Sequence, residues 1–171
     1  MNANDFLAKY GIRNFYHFTE RANLDSIRRY GLLSLAELER LNIQNVHFAS
    51  DSESRSVDVH YGLNDYVRLA FVNQHPMEYV AKSKGRIKDS IFLSISSSVI
   101  LQDGIRVAGG VAYQQGVSIY NLSEACEHLD FDVLLLRSDW KNSAIMSRVM
   151  AARKYELLIP KCIAPELIIG L

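Results

Sequence analysis

The sequence predicts an α+β fold with a mixed or mainly antiparallel sheet, in a single domain over residues 1–171. Three observations lead there. Helix-start signals gather in the first quarter of the chain. Short runs rich in aromatic and β-branched residues recur from there to the C-terminus. These runs are not separated by the regular helices that a repeated βαβ array requires. Only three prolines and nine glycines are spread over the chain, with no repeat or low-complexity tract to mark a linker.

Each element has its own justification. NFYHF (14–18) reads as a strand. Asn23 is placed to cap a helix over 24–30, with Asp25 in the first turn, Arg28 and Arg29 in the last and Gly31 just beyond. Leu24 and Ile27 would face inward. In SLAELERLN, Ser34 and Glu37 have capping-box spacing, and Leu35, Leu38 and Leu41 share a face. VHFAS (46–50) reads as a strand, and the polar DSESRSVDVHYGL (51–63) as a loop or short helix. DYVRLAFV (65–72) is a strand, and SIFLSIS (90–96) alternates apolar residues with serine as a half-buried strand does. IRVAGGVAY (105–113) is a strand with a turn or bulge at Gly109–Gly110. FDVLLL (131–136), YELLI (155–159) and ELIIG (166–170) complete the strands, and 138–154 is polar, basic and partly helical.

The bulk numbers narrow the function. Forty-nine per cent hydrophobic residues supply a full core and argue against intrinsic disorder. Nineteen basic residues balance nineteen acidic ones, so an anionic partner must be met by a local patch. Cys126 and Cys162 have neither CxxC spacing nor a disulfide framework, as expected of a reducing, cytoplasmic setting; they read as structural thiols. The first residues hold no apolar run of signal-peptide length, and the longest tight apolar cluster, VLLL (133–136), is far short of a membrane span. Walker, GxGxxG, GxSxG, HExxH and zinc-site patterns are missing, and no metal is expected.

What remains is polar residues in apolar places. Glu156 in KYELLIP shares a strand face with Leu158, opposite Tyr155, Leu157 and Ile159. A carboxylate there is either solvated at an edge, paired or used. His17, between aromatic residues, is either a hydrogen-bonded core histidine or part of a site. Arg55 is either a solvated loop arginine or a ligand contact. RSDWKNSAIMSRVMAARK (137–154) holds five basic residues against Asp139, together with Trp140. That composition suits phosphate contacts and base stacking, and equally a charged helix face with the tryptophan tucked inward.

Taken in order, these pieces resemble the DarT toxins, NAD-dependent ADP-ribosyltransferases acting on single-stranded DNA. The residues that carry the resemblance are Tyr16-His17, Asn23-Leu24, Ile27 and Gly31-Leu32, then Arg55 in a polar stretch. Asp65-Tyr66-Val67, Phe71 and Pro76-Met77 follow, and then Arg153, Lys154 and Glu156 with PELIIGL behind. Order and spacing agree from residue 15 to the C-terminus. Two departures stand out. DYVRLAF has Arg68 where the family usually has proline, and NQHPM lacks the usual arginine-serine before Pro-Met.

The resemblance implies an ADP-ribosyltransferase-like fold, two small sheets with helices around an NAD cleft. It implies transfer of ADP-ribose to a base, thymidine foremost, of single-stranded DNA, by a toxin of a toxin–antitoxin or phage-defence system. Glu156 would hold the nicotinamide-side ribose and act as general base. Arg55 would meet the pyrophosphate or assist at the acceptor. His17, Thr19 and Asn23 would orient NAD. Trp140, Arg148, Arg153 and Lys154 would contact the nucleic acid. A macrodomain-type antitoxin on a separate chain is the implied partner. The same chemistry on RNA, another base or a protein is the first alternative, and a catalytically silent NAD- or nucleic-acid-binding module the second.

Overall fold

The computed structural model describes residues 1–139 and 141–171. The chain opens with α1 (Ala3–Tyr10), capped by the Asn2 side chain and closed at Gly11. Strand β1 (Asn14–Glu20) follows, then α2 (Leu24–Tyr30), β2 (Leu32–Leu33) and α3 (Leu35–Arg40). The middle holds α4 (Ser52–His60), β3 (Tyr66–Ala70), α5 (Pro76–Ser83), β4 (Ser90–Ser96) and β5 (Arg106–Ala108). The last third runs β6 (Ile119–Tyr120), α6 (Leu122–His128), α7 (Phe131–Leu135), α8 (Ser143–Ala152), β7 (Glu156–Pro160), β8 (Cys162–Ile163) and β9 (Ile168–Ile169).

The architecture is α+β, and every strand pair among the described residues is antiparallel. A seven-stranded sheet has the order β6-β5-β7-β3-β1-β4-β9, and β2 and β8 form a small second sheet. The large sheet is nearly two. β1 pairs with β4 along its whole length, and β3 with β7 likewise, whereas β1 and β3 meet only at Tyr16↔Ala70. One pairing thus joins the half β9-β4-β1 to the half β3-β7-β5-β6.

Helices cover this sheet through an aromatic cluster. Phe6 of α1 and Phe131 of α7 meet edge to face at 4.9 Å, and Phe71, Phe15 and Tyr155 extend the contact. Leu157 and Ile159 of β7 are fully buried beneath it. Side chains of this size each contribute about 2 kcal/mol of hydrophobic stabilisation when fully buried.

Four local expectations are corrected. FDVLLL is helical over Phe131–Leu135, not a strand: Asp130 caps it by accepting from the Val133 N–H, and Phe131 is drawn into the aromatic cluster. So short a run, five apolar residues and Asp132, has no periodicity that separates the two states. VHFAS forms no strand; its backbone is held by side-chain hydrogen bonds, described below. Asn23 does not cap α2 with its side chain, because a 3-10 turn over Arg21–Asn23 leads into the helix. ELIIG keeps only Ile168–Ile169 as strand. The loop-or-helix segment 51–63 is helical over Ser52–His60, started by Asp51, and the basic segment is helical over Ser143–Ala152.

Gly31 ties the small sheet to the rest. Its φ is +79°, and an added Cβ would lie 2.1 Å from the Ile163 carbonyl oxygen, beside the pairing Leu32↔Ile163. Gly11 has a similar φ, +62°, but open space around it. Gly31→Ala should therefore cost about 2 kcal/mol or more, and Gly11→Ala about 1 kcal/mol from backbone strain alone. Thermal denaturation of both variants checks this, with the larger drop expected at Gly31.

Candidate active site

A cavity of ≈ 230 Å³ opens where β1 and β3 part. Past Tyr16↔Ala70, the continuation of the ladder fails, and the side chain of His17 fills the place of a backbone group. Its Nδ1 lies 2.9 Å from the Arg68 carbonyl, which can only accept, so Nδ1 carries the proton. Burial lowers the pKa of His17, with the Arg68 bond pulling the other way, and the ring is neutral. His17 lines the cavity, and its remaining nitrogen is an acceptor.

Glu156 forms the floor. It opens β7 with Ala70 and Ala108 as its cross-strand neighbours, two small residues that leave room above the carboxyl group. Oε2 accepts the Ala112 N–H at 2.8 Å. That amide arrives by way of the expected turn at Gly109–Gly110, where added Cβ atoms would meet Leu129 and Val117 at 3.0 and 3.1 Å. Oε1 faces His75 Nε2 at 3.8 Å. Burial pushes the Glu156 pKa up; Arg68 and the Ala112 amide oppose it, and Asp58 reinforces it.

Arg68 is ion-paired to Asp58 of α4, and both line the cavity. Burial raises the Asp58 pKa against the pull of the guanidinium. His75 caps α5 by accepting the Met77 N–H at Nδ1, and its ring stacks on Phe18 at 6.0 Å. Burial lowers the His75 pKa to about 4, so this imidazole is also neutral and its approach to Glu156 is not an ion pair. Arg68 and His75 are the site residues that sequence reasoning missed. The signal was available: both sit at the positions where the chain departs from the family pattern.

The roof is the segment 46–50. Asn23 holds it with two hydrogen bonds to His47, Nδ2 to the carbonyl and Oδ1 from the amide, each 2.9 Å. Asn23 also donates to the buried Thr19 hydroxyl at 3.0 Å. Arg86 donates to the Ala49 carbonyl and pairs with Asp51. Arg55 donates to the Ser50 carbonyl at 2.6 Å and lies over the Phe48 ring at 4.7 Å.

The structure therefore brings together His17, Thr19, Asn23 and Glu156, all of which line the cavity. It does not bring Arg55 among the lining residues: its guanidinium is spent on the roof, and Arg68 is the arginine that faces Glu156. Arg148, Arg153 and Lys154 lie outside the cavity, on α8 and the turn into β7. Arg148 is exposed and paired with Asp130 at 2.7 Å, Arg153 is half-buried against Met150, and Lys154 is exposed. Trp140 lies outside the described residues. Among the described residues no cluster of three or more His, Cys, Asp or Glu could hold a metal ion, and no helix is long and apolar enough to cross a membrane.

The family model for DarT, ssDNA thymidine ADP-ribosyltransferase, matches residues 16–171. The chain belongs to the DarT family. A DNA ADP-ribosyl transferase–DNA ADP-ribosyl glycohydrolase fusion protein of Thermosipho africanus is 27% identical over 162 residues, covering 91% of this chain and 41% of the relative. The chain thus spans about two fifths of the length of that curated relative. Among solved structures, Thermus sp. 2.9 DarT in complex with ADP-ribosylated ssDNA superposes with a TM-score of 0.67 at 18% identity, covering 92% of this chain and 79% of that one. Thermosipho africanus DarTG in complex with ADP-ribose gives a TM-score of 0.66 at 24% identity, with 91% and 42% covered. At these identities the superpositions speak for the DarT fold. Within it, this member carries Arg68 and His75 inside the cleft.

The raised pKa of Glu156 has a stability consequence of definite sign. A group whose pKa is higher in the folded state contributes stability below its unfolded value and loses it as pH rises through the folded value. Glu156→Gln keeps an acceptor for Ala112 without the ionisable proton. Its melting temperature should therefore gain on the wild type between pH 4 and pH 8, as measured by thermal denaturation across that range. A constant difference would mean that Glu156 ionises in the cleft without penalty.

Proposed function

We propose that this DarT-family chain transfers ADP-ribose from NAD to a base of single-stranded DNA, thymidine in the first instance, as a toxin acting in the cytoplasm. The observation that carries this reading is Glu156, 6% exposed on the cavity floor, with one oxygen held by the Ala112 amide and the other turned toward open space.

NAD is the co-substrate, and its binding places the nicotinamide-side ribose over Glu156. The bond between nicotinamide and the anomeric carbon breaks, and nicotinamide leaves with the electron pair. The sugar then carries developing positive charge, which a carboxylate in a site of low dielectric stabilises. A nitrogen or oxygen of the acceptor attacks that carbon and gives its proton to Glu156. Burial favours the protonated form of this glutamate, so the proton transfer runs toward the state that the protein already prefers. Nicotinamidium and Arg68 favour the ionised form before the step.

His17 and Thr19 orient NAD, Asn23 sets the roof over it, and Arg55 acts through Phe48 and Ser50 as a positioning residue. Arg148, Arg153, Lys154 and Trp140 meet the nucleic acid. The fusion of transferase and glycohydrolase in the Thermosipho relative supports a partner activity of macrodomain type that removes the modification. A different acceptor, RNA or another base, is favoured by one observation: Arg68 and His75 alter the cleft itself, not only its rim.

Mass spectrometry of short single-stranded DNA oligomers, each lacking one base, after incubation with NAD tests the reading. A gain of one ADP-ribose that vanishes with the thymine-free oligomer is expected, and Glu156→Ala should lower the rate at least about a hundredfold. A gain that follows another base or RNA would move the acceptor, and no transfer to any acceptor would leave a silent binding module. In the doubly substituted Arg148→Ala/Lys154→Glu chain, single-stranded DNA binding should weaken with a shallower salt dependence while NAD affinity holds. Equal loss of both would remove α8 from the nucleic-acid interface.

A further inference from the structure

Arg68 spends one nitrogen of its guanidinium inside the protein: Nη2 donates to Oδ1 of Asp58, whose side chain is almost wholly buried. Nε and Nη1 make no hydrogen bond among the described residues, and neither is sealed from solvent. Glu156 Oε1 is in the same condition, without a hydrogen bond and not sealed. Sheet register brings the two groups together. Arg68 stands opposite Leu158, and Ala70 opposite Glu156. Arg68 and Glu156 are therefore diagonal neighbours on one face of the sheet, about 7–8 Å apart and within reach of a long side chain. Both line the cavity, and Ala70 beside them is too small to fill the space above. A forked donor and an acceptor oxygen thus open onto one space.

That pair selects what lies across it. Asp58 already balances the guanidinium charge, so the free edge offers direction more than net charge. It suits a neutral carbonyl better than a phosphate. Glu156 needs a donor next to that carbonyl, and the molecule that delivers a proton to Glu156 is the acceptor. A ring N–H adjoining a C=O supplies both features, and among nucleobases thymine, uracil and guanine have one. Adenine and cytosine place an amino group beside an unprotonated ring nitrogen. Their amino N–H is far less acidic, and its removal leaves the charge on nitrogen, not on an adjoining oxygen.

We propose that Arg68 reads the acceptor: its free guanidinium edge donates to the carbonyl oxygen of a lactam base whose adjoining ring N–H faces Glu156 Oε1. The inference rests on reading Glu156 as the base that takes the acceptor's proton. In the step, the ring nitrogen bonds to the anomeric carbon, its proton passes to Glu156, and nicotinamide leaves with the electron pair of the broken bond. Negative charge that develops on the lactam as the proton departs gathers on the carbonyl oxygen, where the arginine meets it.

Sulfur is a weak hydrogen-bond acceptor, so thio-substituted bases test the contact in the unaltered full chain. Single-stranded DNA oligomers with one thymine, one 2-thiothymine or one 4-thiothymine are compared at saturating NAD, with 6-thioguanine in their place where guanine is the acceptor. One thio oligomer should be modified about tenfold more slowly than the other, which carries the same acidified N–H and serves as its control. Oligomers offering only adenine or cytosine should stay unmodified. Arg68→Met/Asp58→Leu removes the edge without leaving a buried carboxylate unpaired. It should lower transfer about a hundredfold, hold NAD affinity within about twofold by calorimetric titration, and lose the discrimination between the two thio oligomers. The proposal is overturned if wild type treats the thio oligomers alike, or if the doubly substituted chain still separates them. It is also overturned if NAD affinity falls in step with transfer, which would make Arg68 a contact of NAD, or if adenine or cytosine reacts as fast as the lactam bases. A wild type that transfers to no base at all removes the reading of Glu156 first, and this inference with it.

Discussion

Antiparallel strands that lie side by side exchange backbone hydrogen bonds along their length, and here β1 and β3 do not. They meet at Tyr16↔Ala70 and then part. That divergence is possible because β1 already has a full ladder with β4 and β3 has one with β7. Each half of the sheet is secured by its other neighbour, and the shared edge is free to open. The imidazole of His17 bonds the Arg68 carbonyl at the fork, so the opening is held at a fixed width without a second ladder. Cavity, floor and roof all follow from that fork: Tyr16 through Thr19 line one wall, and Arg68 through Ala70 the other.

The cleft so formed is electrostatically unusual for a neutral chain. Two histidines are kept uncharged by burial, a carboxylate is pushed toward its protonated form, and a guanidinium is paired with a buried aspartate. Burial opposes charge on each of these groups, so the ones that carry charge do so because a partner is at hand. Glu156 has only a backbone amide on one oxygen and lies close to, but not in contact with, His75. Such a group is poised to respond to whatever enters, and a positively charged nicotinamide ring is the kind of ligand that would return it to the ionised form.

The roof shows how few contacts are needed to hold an irregular segment over a site. Residues 46–50 satisfy their backbone through three side chains from different elements: Asn23 before α2, Arg55 within α4 and Arg86 after α5. Each contact ties the roof to a different part of the fold, which fixes the segment in place without strand pairing. Arg55 is more informative in this light. Its place in a polar stretch matched the family pattern, and its hydrogen bond to Ser50 and its stacking on Phe48 direct it to the segment that roofs the cavity.

Periodicity, capping residues and turn glycines determined much of this protein in advance. The strands within NFYHF, DYVRLAFV, SIFLSIS and YELLI, the helix over 24–30 and the turn at Gly109–Gly110 are local features, and local signals specify them. The candidate residues His17 and Glu156 were legible as polar residues in apolar runs, and Thr19 and Asn23 through the resemblance to the family. FDVLLL and VHFAS were not legible. A short apolar run has no period to read, and its state was settled by the Asp130 cap and the aromatic cluster in one case, by side chains from three distant segments in the other. Which arginine reaches the cleft, and that a histidine at position 75 lies 3.8 Å from a glutamate at position 156, are matters of sheet register and helix packing. No spacing along the chain encodes them. The sequence alone set the inventory of chemical groups, and the parting of two strands decided which of them share a cavity.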